Sequence, residues 1–207
     1  MRSAFAALIQ YFDFLMRFGY QEHSMKIIGI SGSLRTVSLS TALLKTAATL
    51  APCDINFTVY DGIGNLPHFN PELDKEPVPA AVSDFRSHLN SSAGVVISTP
   101  EYAHGIPGTL KNALDWLVAS GELYEKPVAL FSASPYTRFA PASLIETLTV
   151  MMARLIPDAF INIPPHCGLD NGDLQKIGNV GLSTCVERAL AVFAKAIDPT
   201  YIQHSGT

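Results

Sequence analysis

Five short apolar runs, each followed by a loop and a segment with helical periodicity, constrain the fold of this chain more than any other feature. The runs span residues 26–31, 55–60, 94–99, 126–132 and 159–163. Each is about the length of a buried strand and too short for a typical helix. Alternating strand and helix units predict one α/β domain, built on a doubly wound five-stranded parallel sheet with helices on both faces.

The intervening segments carry apolar residues at helical spacing, and 48% of the whole chain is apolar. That proportion is enough for a sizeable core and argues against a disordered protein. The predicted helices cover residues 38–51, about 80–91, 108–119, 140–155 and about 172–197. In such sheets ligands bind beyond the carboxyl ends of the strands, so the loops after strands one, three and four are the candidate sites.

Residues 1–24 lie outside this pattern, and a second methionine, Met25, follows them directly. A signal peptide is disfavoured because Gln10, Asp13 and Arg17 interrupt the apolar run. Two alternatives remain open: an amphipathic helical extension, or a translation start placed upstream of the true start at Met25. The predicted organisation is an extension over 1–24, the domain over 25–200 and a tail over 201–207.

Charge and cysteine content exclude several classes of protein. With 14 basic and 18 acidic residues the net charge is -4, which gives no basic field for nucleic-acid binding. No apolar stretch of about 18 residues is present, so no membrane span is expected. Cys53, Cys167 and Cys185 are far apart and form no C-x-x-C motif, which favours a reducing compartment, the cytoplasm, and a structural role for Cys167. The histidines show no ligand spacing, so no metal site is expected.

The loop at residues 29–40 combines five hydroxyl side chains, two glycines and the guanidinium of Arg35 just before a helix. A helix N-terminus offers free N–H groups and a positive dipole end, and hydroxyls with one arginine suit a phosphate monoester. The alternative is that Ser38 only caps the helix and the glycines make a turn. The loop has neither the Gly-Lys-Ser/Thr of a Walker loop nor the Gly-x-Gly-x-x-Gly fingerprint of dinucleotide-binding folds. A Rossmann-type NAD-dependent dehydrogenase is therefore disfavoured. Asp61, just past the second strand, could mimic the acid that binds a ribose in those folds, but without the glycines it is expected to be a turn residue.

The loop after strand three, within residues 98–116, has two prolines and two glycines that restrict its backbone. Such a rigid edge displays main-chain N–H and C=O groups that can bind the polar rim of a heterocycle, and Tyr102 adds an aromatic face. A structural loop that covers the sheet edge is the alternative. His104 lies in this loop and is expected to be a turn histidine more than a group that steers a substrate.

Two motifs in this order resemble those of the NADPH-dependent FMN reductase family, which has a flavodoxin-like fold. They are Gly-Ser-Leu-Arg-x-x-Ser at residues 32–38, and Pro-Glu-Tyr at 100–102 followed by Gly-x-Leu-Lys-Asn-Ala-Leu-Asp-Trp at 108–116. The similarity runs from Lys26 to about Ile197. The family includes quinone, azo-dye and chromate reductases.

The resemblance implies which residues bind the flavin. The first motif implies that Ser33, Arg35 and Ser38 bind the FMN phosphate, with Ser40 where the family often has Asn. The second motif wraps the flavin ring and ribityl chain, which implies the residues Pro100, Glu101, Tyr102, Ala103 and Gly105. Many members carry Asn at the position of Ala103, so only the backbone can serve there.

The loop after strand four follows where the family has a flavin-edge loop rich in Gly and Ser. Ser132 and Ser134 are its candidate site residues, and Tyr136 and Arg138 are bulkier than the usual glycines. These larger side chains are expected to restrict access to the flavin face and to influence which substrates reach it.

The implied function is an FMN-dependent oxidoreductase. It passes two electrons from NADPH or NADH to a small acceptor: a quinone, an azo compound, a metal oxyanion or free flavin. The cofactor carries this chemistry, so no catalytic acid or base is expected among the side chains. The alternative is a flavodoxin-type electron carrier that is not an enzyme.

Family members are commonly homodimers or homotetramers, and Trp116 is the residue expected to extend from the core into a subunit interface. Lys111 and Asp115 are expected to form an ordinary surface pair.

Overall fold

The described part of the chain forms a parallel sheet. The computed structural model describes residues 24–132, 134, 136–163 and 180–201. Their strands are β1 (Met25–Ser31), β2 (Ile55–Tyr60), β3 (Gly94–Ser98), β4 (Pro127–Ser132), β5 (Arg154–Leu155) and β6 (Ile161–Asn162). The order is β2-β1-β3-β4-β5, β6 also pairs with β4, and every pairing is parallel. The predicted α/β class and parallel sheet are confirmed.

The described residues form five α-helices: α1 (Leu39–Leu50), α2 (Ala80–Asn90), α3 (Gly108–Asp115), α4 (Phe139–Val150) and α5 (Val180–Ile197). The first four connect strands, and α5 follows β6. Short 3₁₀ turns at Gly62–Asn65 and Pro157–Ala159 interrupt two of the loops. The first two helices lie within one residue of their predicted bounds. The predicted start of the last helix, near residue 172, lies outside the described residues.

The helices cover both faces of the sheet, as predicted, and each face has its own core. On one face α1 and α5 pack on the strands through Leu43, Leu44 and Phe193. On the other face α2, α3 and α4 contribute Phe85, Leu114 and Leu148, among others. Successive residues of β3 alternate between these cores, as the two-residue period of a strand requires.

The fifth strand position differs from the prediction because two short strands, β5 and β6, share it. The predicted helix over 140–155 ends at Val150, and Arg154–Leu155 pair with β4 instead. The apolar pattern continues through Met151 and Met152, which is why sequence periodicity runs past the helix end. The backbone of Met152 is left-handed (φ 58°), and that conformation terminates the helix.

The helix over 108–119 also ends early, at Asp115, and turns follow it. Trp116 terminates it and is fully buried, so the expectation that this side chain reaches a subunit interface is wrong. The Leu and Ala stripe of α3 is core, as expected. Lys111 and Asp115 form the predicted exposed ion pair.

The sheet order brings the ends of three strands together. After β1 the chain goes to β2 on one side and then crosses to β3 on the other, so the strand order reverses between β1 and β3. Ser31 pairs in register with Ser98, and Ser98 with Phe131. The loops after β1, β3 and β4 therefore leave the sheet side by side at its switch point, where α/β sheets bind ligands.

Candidate functional site

These three loops surround one pocket of about 120 Å³ at the carboxyl edge of the sheet. It is lined by Ser33, Arg35, Ser38, Leu39, Ser40, Thr99, Pro100, Tyr102, Ser134 and Thr137. Six of the ten residues predicted to bind a cofactor are in this set. The other four do not line the pocket, although each is within three residues of one that does in sequence: Glu101, Ala103, Gly105 and Ser132.

The loop after β1 forms the N-terminal entry to α1. Ser38 is the N-cap residue, and its Oγ accepts a hydrogen bond from the backbone N–H of Thr41 (3.3 Å). The Oγ of Ser33 accepts one from the backbone N–H of Arg35 (3.4 Å). Ser38 therefore caps the helix and also lines the pocket, so the two interpretations of this loop from sequence are compatible.

The chemistry of this wall suits an anion. Ser33, Ser38 and Ser40 are buried hydroxyl residues, and the first turn of α1 contains no acidic side chain. Arg35 is exposed and forms no ion pair with any residue in the described part of the chain. No Asp or Glu is among the described residues that line the pocket. Hydroxyl and N–H donors with one guanidinium are a donor set for a phosphate monoester.

Gly32 lets the loops after β1 and β3 approach closely. Its N–H donates to the carbonyl oxygen of Ser98 (2.8 Å), and a Cβ built at this position would lie 2.5 Å from Oγ1 of Thr99. Any larger residue would force Thr99 to shift. The glycine of the first motif is therefore required by the contact between these two loops.

The loop after β3 contains a tight turn. The backbone groups of Tyr102 and Gly105 exchange two hydrogen bonds (2.9 and 3.0 Å), and both residues between them are left-handed: Ala103 has φ 49° and His104 has φ 61°. Two left-handed central residues define a type I′ turn, for which Asn-Gly is the favoured pair. The turn presents the half-exposed ring of Tyr102 to the pocket.

The carboxylate of Glu101 is directed at α4. Its Oε2 accepts hydrogen bonds from the backbone N–H groups of Arg138 (2.8 Å), Phe139 (2.7 Å) and Ala140 (2.9 Å). The hydrogen bond from Ala140 is the main reason that the pKa of Glu101 is lowered, and the bonds from Arg138 and Phe139 and the nearby His104 act in the same direction. The charged carboxylate is therefore favoured at this helix end.

A second contact joins the same two loops. The ring of His104 stacks on that of Phe139 with centroids 4.2 Å apart, and the guanidinium carbon of Arg138 lies 5.6 Å from the Phe139 ring. His104 is exposed and lies at the turn, as predicted.

The loop after β4 closes the third side. The hydroxyls of Ser132 and Thr137 lie 2.6 Å apart and form a hydrogen bond in which either can be the donor. Both also lie within hydrogen-bond distance of the carbonyl oxygen of Ser134 (3.0 and 2.9 Å). Ser132 lines a neighbouring cavity of about 200 Å³ between α4 and the sheet, together with Thr99 and Thr137. Tyr136 is exposed at the surface of this loop.

Sequence reasoning missed Thr99 and Thr137, which line both cavities. Thr99 could have been found, because it is the residue directly after β3 at the predicted edge of the sheet. Thr137 could not, since its place in the pocket depends on how the loop after β4 folds back onto the loop after β3.

The described helices include none that is long and apolar enough to cross a membrane. No group of three or more His, Cys, Asp or Glu side chains among the described residues is arranged to hold a metal ion.

The fold is that of a flavodoxin-like α/β protein, and the pocket at its switch point has a lining that suits an anion. The family model for NADPH-dependent FMN reductase matches residues 25–165, and the chain belongs to that family. The match includes all three loops of the site.

Similar proteins agree with this assignment. The chain is 36% identical over 112 residues to the NAD(P)H-dependent FMN reductase of Pseudomonas aeruginosa. The matched stretch covers 53% of this chain and 60% of that protein. It is 40% identical over 93 residues to the 2-hydroxy-1,4-benzoquinone reductase of a Burkholderia species, covering 45% of this chain and 50% of that protein. The matched part thus spans 50% to 60% of the length of these two relatives.

A solved structure is similar over a longer stretch. FerB, a flavoenzyme NAD(P)H:(acceptor) oxidoreductase from Paracoccus denitrificans, superposes with a TM-score of 0.66 at 26% identity. The superposition covers 83% of this chain and 98% of FerB.

Proposed function

We propose that this protein is an FMN-dependent oxidoreductase that takes two electrons from NADPH or NADH and passes them to a small acceptor. The observation that carries the proposal is the pocket at the switch point, which combines the Arg35 guanidinium, three serine hydroxyls and a helix N-terminus, with no described carboxylate in its lining. Membership of the family supports FMN as the ligand.

The three loops would bind different parts of FMN, and the loop after β1 would bind its phosphate. Ser33, Arg35, Ser38 and Ser40 would hold the phosphate, assisted by the free N–H groups of the first turn of α1. Because Arg35 has no ion-pair partner among the described residues, its charge is available to balance that of a phosphate.

The flavin ring and ribityl chain would lie against the loop after β3. Pro100 and Tyr102 would supply apolar and aromatic surface. The backbone of Ala103 would bind the polar rim of the ring, whereas both backbone groups of Gly105 are used in the turn with Tyr102. Ser132 would contact the ring edge from the loop after β4. Bound FMN supplies the two-electron chemistry between the nicotinamide and the acceptor, and the protein supplies binding and orientation.

The relatives and the pocket support a quinone as the acceptor. Matched relatives are described as quinone reductases and a 2-hydroxy-1,4-benzoquinone reductase. A small planar quinone would stack beside the exposed ring of Tyr102. Azo compounds, metal oxyanions and free flavin are the other acceptors to be compared with it.

The test is spectroscopic and needs no partner protein. The purified protein loaded with FMN should bleach near 450 nm when NADPH or NADH is added without oxygen, and adding a benzoquinone should restore the colour through many turnovers. If neither nucleotide bleaches the bound flavin while a separate reductase does, the protein is an electron carrier and the enzyme proposal is wrong. If the protein binds no FMN, both readings fail.

We also propose that the protein is a homodimer or homotetramer, associated through an exposed apolar groove beside α3 and α4. The groove has a volume of about 450 Å³ and is lined in part by Val118, Tyr124, Val150 and Met152, all exposed. Lys111, Asp115 and Glu146 give its rim both signs of charge, so two copies related by a two-fold axis can complement each other.

The oligomer proposal is tested by light scattering after size exclusion. The expected mass is a multiple of 22.3 kDa, and Val150→Lys should lower it towards that value. Leu73→Lys, at an exposed leucine outside the groove, is the matched control and should leave the mass unchanged. A monomeric wild type, or a Val150→Lys variant with the wild-type mass, contradicts the proposal.

Residues 1–24 should be dispensable for the flavin-binding domain. Residues 1–23 lie outside the described part of the chain. Met25 already pairs with Ile55 in the sheet, and its N–H donates to the carbonyl oxygen of Asp54 (2.9 Å). A chain that starts at Met25 should fold and bind FMN as the full chain does. Insolubility or loss of FMN binding would contradict this.

At the other end, the contacts of the domain extend one residue past the predicted boundary at 200. The hydroxyl of Tyr201 donates to Oδ1 of Asp54 (3.2 Å), and its ring packs on the core.

The proposed compartment is the cytoplasm, because Cys53 and Cys185 are exposed free thiols, which fit a reducing environment.

A further inference from the structure

Glu101 lies between two residues that line the pocket but does not line it itself. Its neighbours Pro100 and Tyr102 form the wall that comes from the loop after β3. The three N–H groups that its Oε2 accepts belong to residues 138–140, directly after Thr137, which forms part of the opposite wall. One carboxylate therefore joins two walls that are 37 to 39 residues apart in sequence.

The N-terminus of α4 needs this carboxylate. The first N–H groups of a helix have no partner within the helix, and the side chain of the N-cap residue, Arg138, makes no capping hydrogen bond. Glu101 satisfies three of these groups at 2.7 to 2.9 Å, distances typical of charge-assisted hydrogen bonds. The stack of His104 on Phe139 is a second contact across the same gap.

From this geometry we propose that Glu101 is a positioning residue of the flavin site. It holds the loop after β3 against the N-terminus of α4 and so fixes the spacing between Tyr102 and Thr137, without contacting the flavin through its carboxylate. The inference rests on the proposed function. It differs from the role implied by the resemblance, in which Glu101 belongs to the segment that wraps the flavin.

Glu101 and Arg35 would affect different parts of the flavin: Arg35 the phosphate, and Glu101 the spacing of the walls around the ring. Loss of a phosphate ligand weakens FMN and spares riboflavin, which has no phosphate. Loss of a residue that sets the distance between the walls weakens both ligands by the same factor, because both place the same ring between these walls.

The experiment titrates the flavin-free protein with FMN and with riboflavin and follows flavin fluorescence. Glu101→Ala should raise both dissociation constants by the same factor, about tenfold or more. Glu101→Gln keeps a carbonyl oxygen that accepts N–H bonds but loses the charge, so it should recover part of the affinity for both ligands. Leu148→Ala is the control, because Leu148 is buried in the last turns of α4, far from the capped end. It should lower the melting temperature and leave both constants within about twofold.

A second measurement needs no flavin. Amide hydrogen exchange of residues 138–140 should be faster in Glu101→Ala than in wild type, and the amides in the last turn of α4 should be unchanged. This reports directly on the link between the loop after β3 and the helix.

Three results would overturn the inference. They are FMN and riboflavin affinities of Glu101→Ala equal to those of wild type, a loss of FMN affinity with riboflavin spared, and an equal loss in Leu148→Ala. A wild-type protein that binds no FMN would overturn the proposed function, and this inference with it. Normal wild-type binding together with any of the three results overturns the inference alone.

Discussion

The indole N–H of Trp116 donates to the carbonyl oxygen of Pro67 over 2.8 Å and ties the end of α3 to the long loop after β2. Asn112, one turn earlier, donates to the same carbonyl (3.0 Å) and accepts from the backbone N–H of Phe69 (2.7 Å). The rings of Phe69 and Trp116 meet edge to face, 5.1 Å apart. Both motif residues therefore support the fold, and neither lines the site.

Replacing Asn112 should cost stability and leave flavin binding intact. Asn112→Ala leaves the partly buried N–H of Phe69 without its acceptor, which typically costs about 1–3 kcal/mol of the free energy of unfolding. Urea denaturation measures this cost. The control is Asn90→Ala at an exposed position at the end of α2, where we expect a change within about 0.5 kcal/mol. A large loss of FMN affinity without a loss of stability would instead make Asn112 a ligand.

Replacing Arg35 should weaken FMN and spare riboflavin. A hydrogen bond to a charged group contributes about 1.5–3 kcal/mol, so Arg35→Ala should raise the dissociation constant of FMN by about 10- to 100-fold. Riboflavin has no phosphate and should bind as before. Arg154→Ala removes the same charge at the amino end of β5, on the opposite edge of the sheet, and is the matched control. Equal losses for FMN and riboflavin would show that the phosphate loop is wrongly assigned.

Acid should destabilise the wild type more than a variant without the Glu101 carboxyl. Hydrogen bonds, that from Ala140 first, lower the pKa of Glu101 in the folded state below its ordinary value of 4.5. The unfolded chain therefore takes up the proton first as the pH falls. The stabilisation is present above about pH 4.5 and is lost as the pH falls through the lower folded pKa.

The measurement for this prediction is the melting temperature between pH 7 and pH 3, in wild type and in Glu101→Gln. The difference in favour of wild type should be largest at neutral pH and shrink below about pH 4.5. His104, which lies near Glu101, and Arg138, whose backbone N–H donates to it, are present in both proteins. A difference that does not change with pH would contradict a charged cap.

Asparagine at position 103 should stabilise the protein. Ala103 is exposed and has φ 49°, a left-handed conformation that costs an L-residue roughly 1–2 kcal/mol and that Asn adopts more readily. We expect Ala103→Asn to raise the free energy of unfolding by about 0.5–1 kcal/mol. The same substitution at Ala142, an exposed alanine within α4, should lower it by about 0.5 kcal/mol, because Asn is a poorer helix former than Ala. Changes of the same sign at both positions would contradict this argument.

Local sequence was sufficient where the determining interactions are close in the chain. The strand and helix alternation predicted the parallel sheet, because a short buried run and an amphipathic segment each bury apolar surface in one way. The pocket wall formed by the loop after β1 was predicted on the same basis, since Ser33, Arg35 and Ser38 lie next to one strand end and one helix start. Their grouping in a single pocket follows from that short stretch of chain.

Tertiary structure alone decided what depends on distant partners. The hydrogen-bond partners of Glu101 are N–H groups 37 to 39 residues away, and the partner of the Trp116 indole is a carbonyl 49 residues away. The fifth strand is divided because β4 offers pairing to both Arg154–Leu155 and Ile161–Asn162, against the local apolar pattern. A hydrogen bond between distant residues leaves no periodic trace in the sequence. Its partners are chosen only once the sheet has brought the two segments together, and the need to satisfy buried or terminal N–H and C=O groups then determines which side chains support the site.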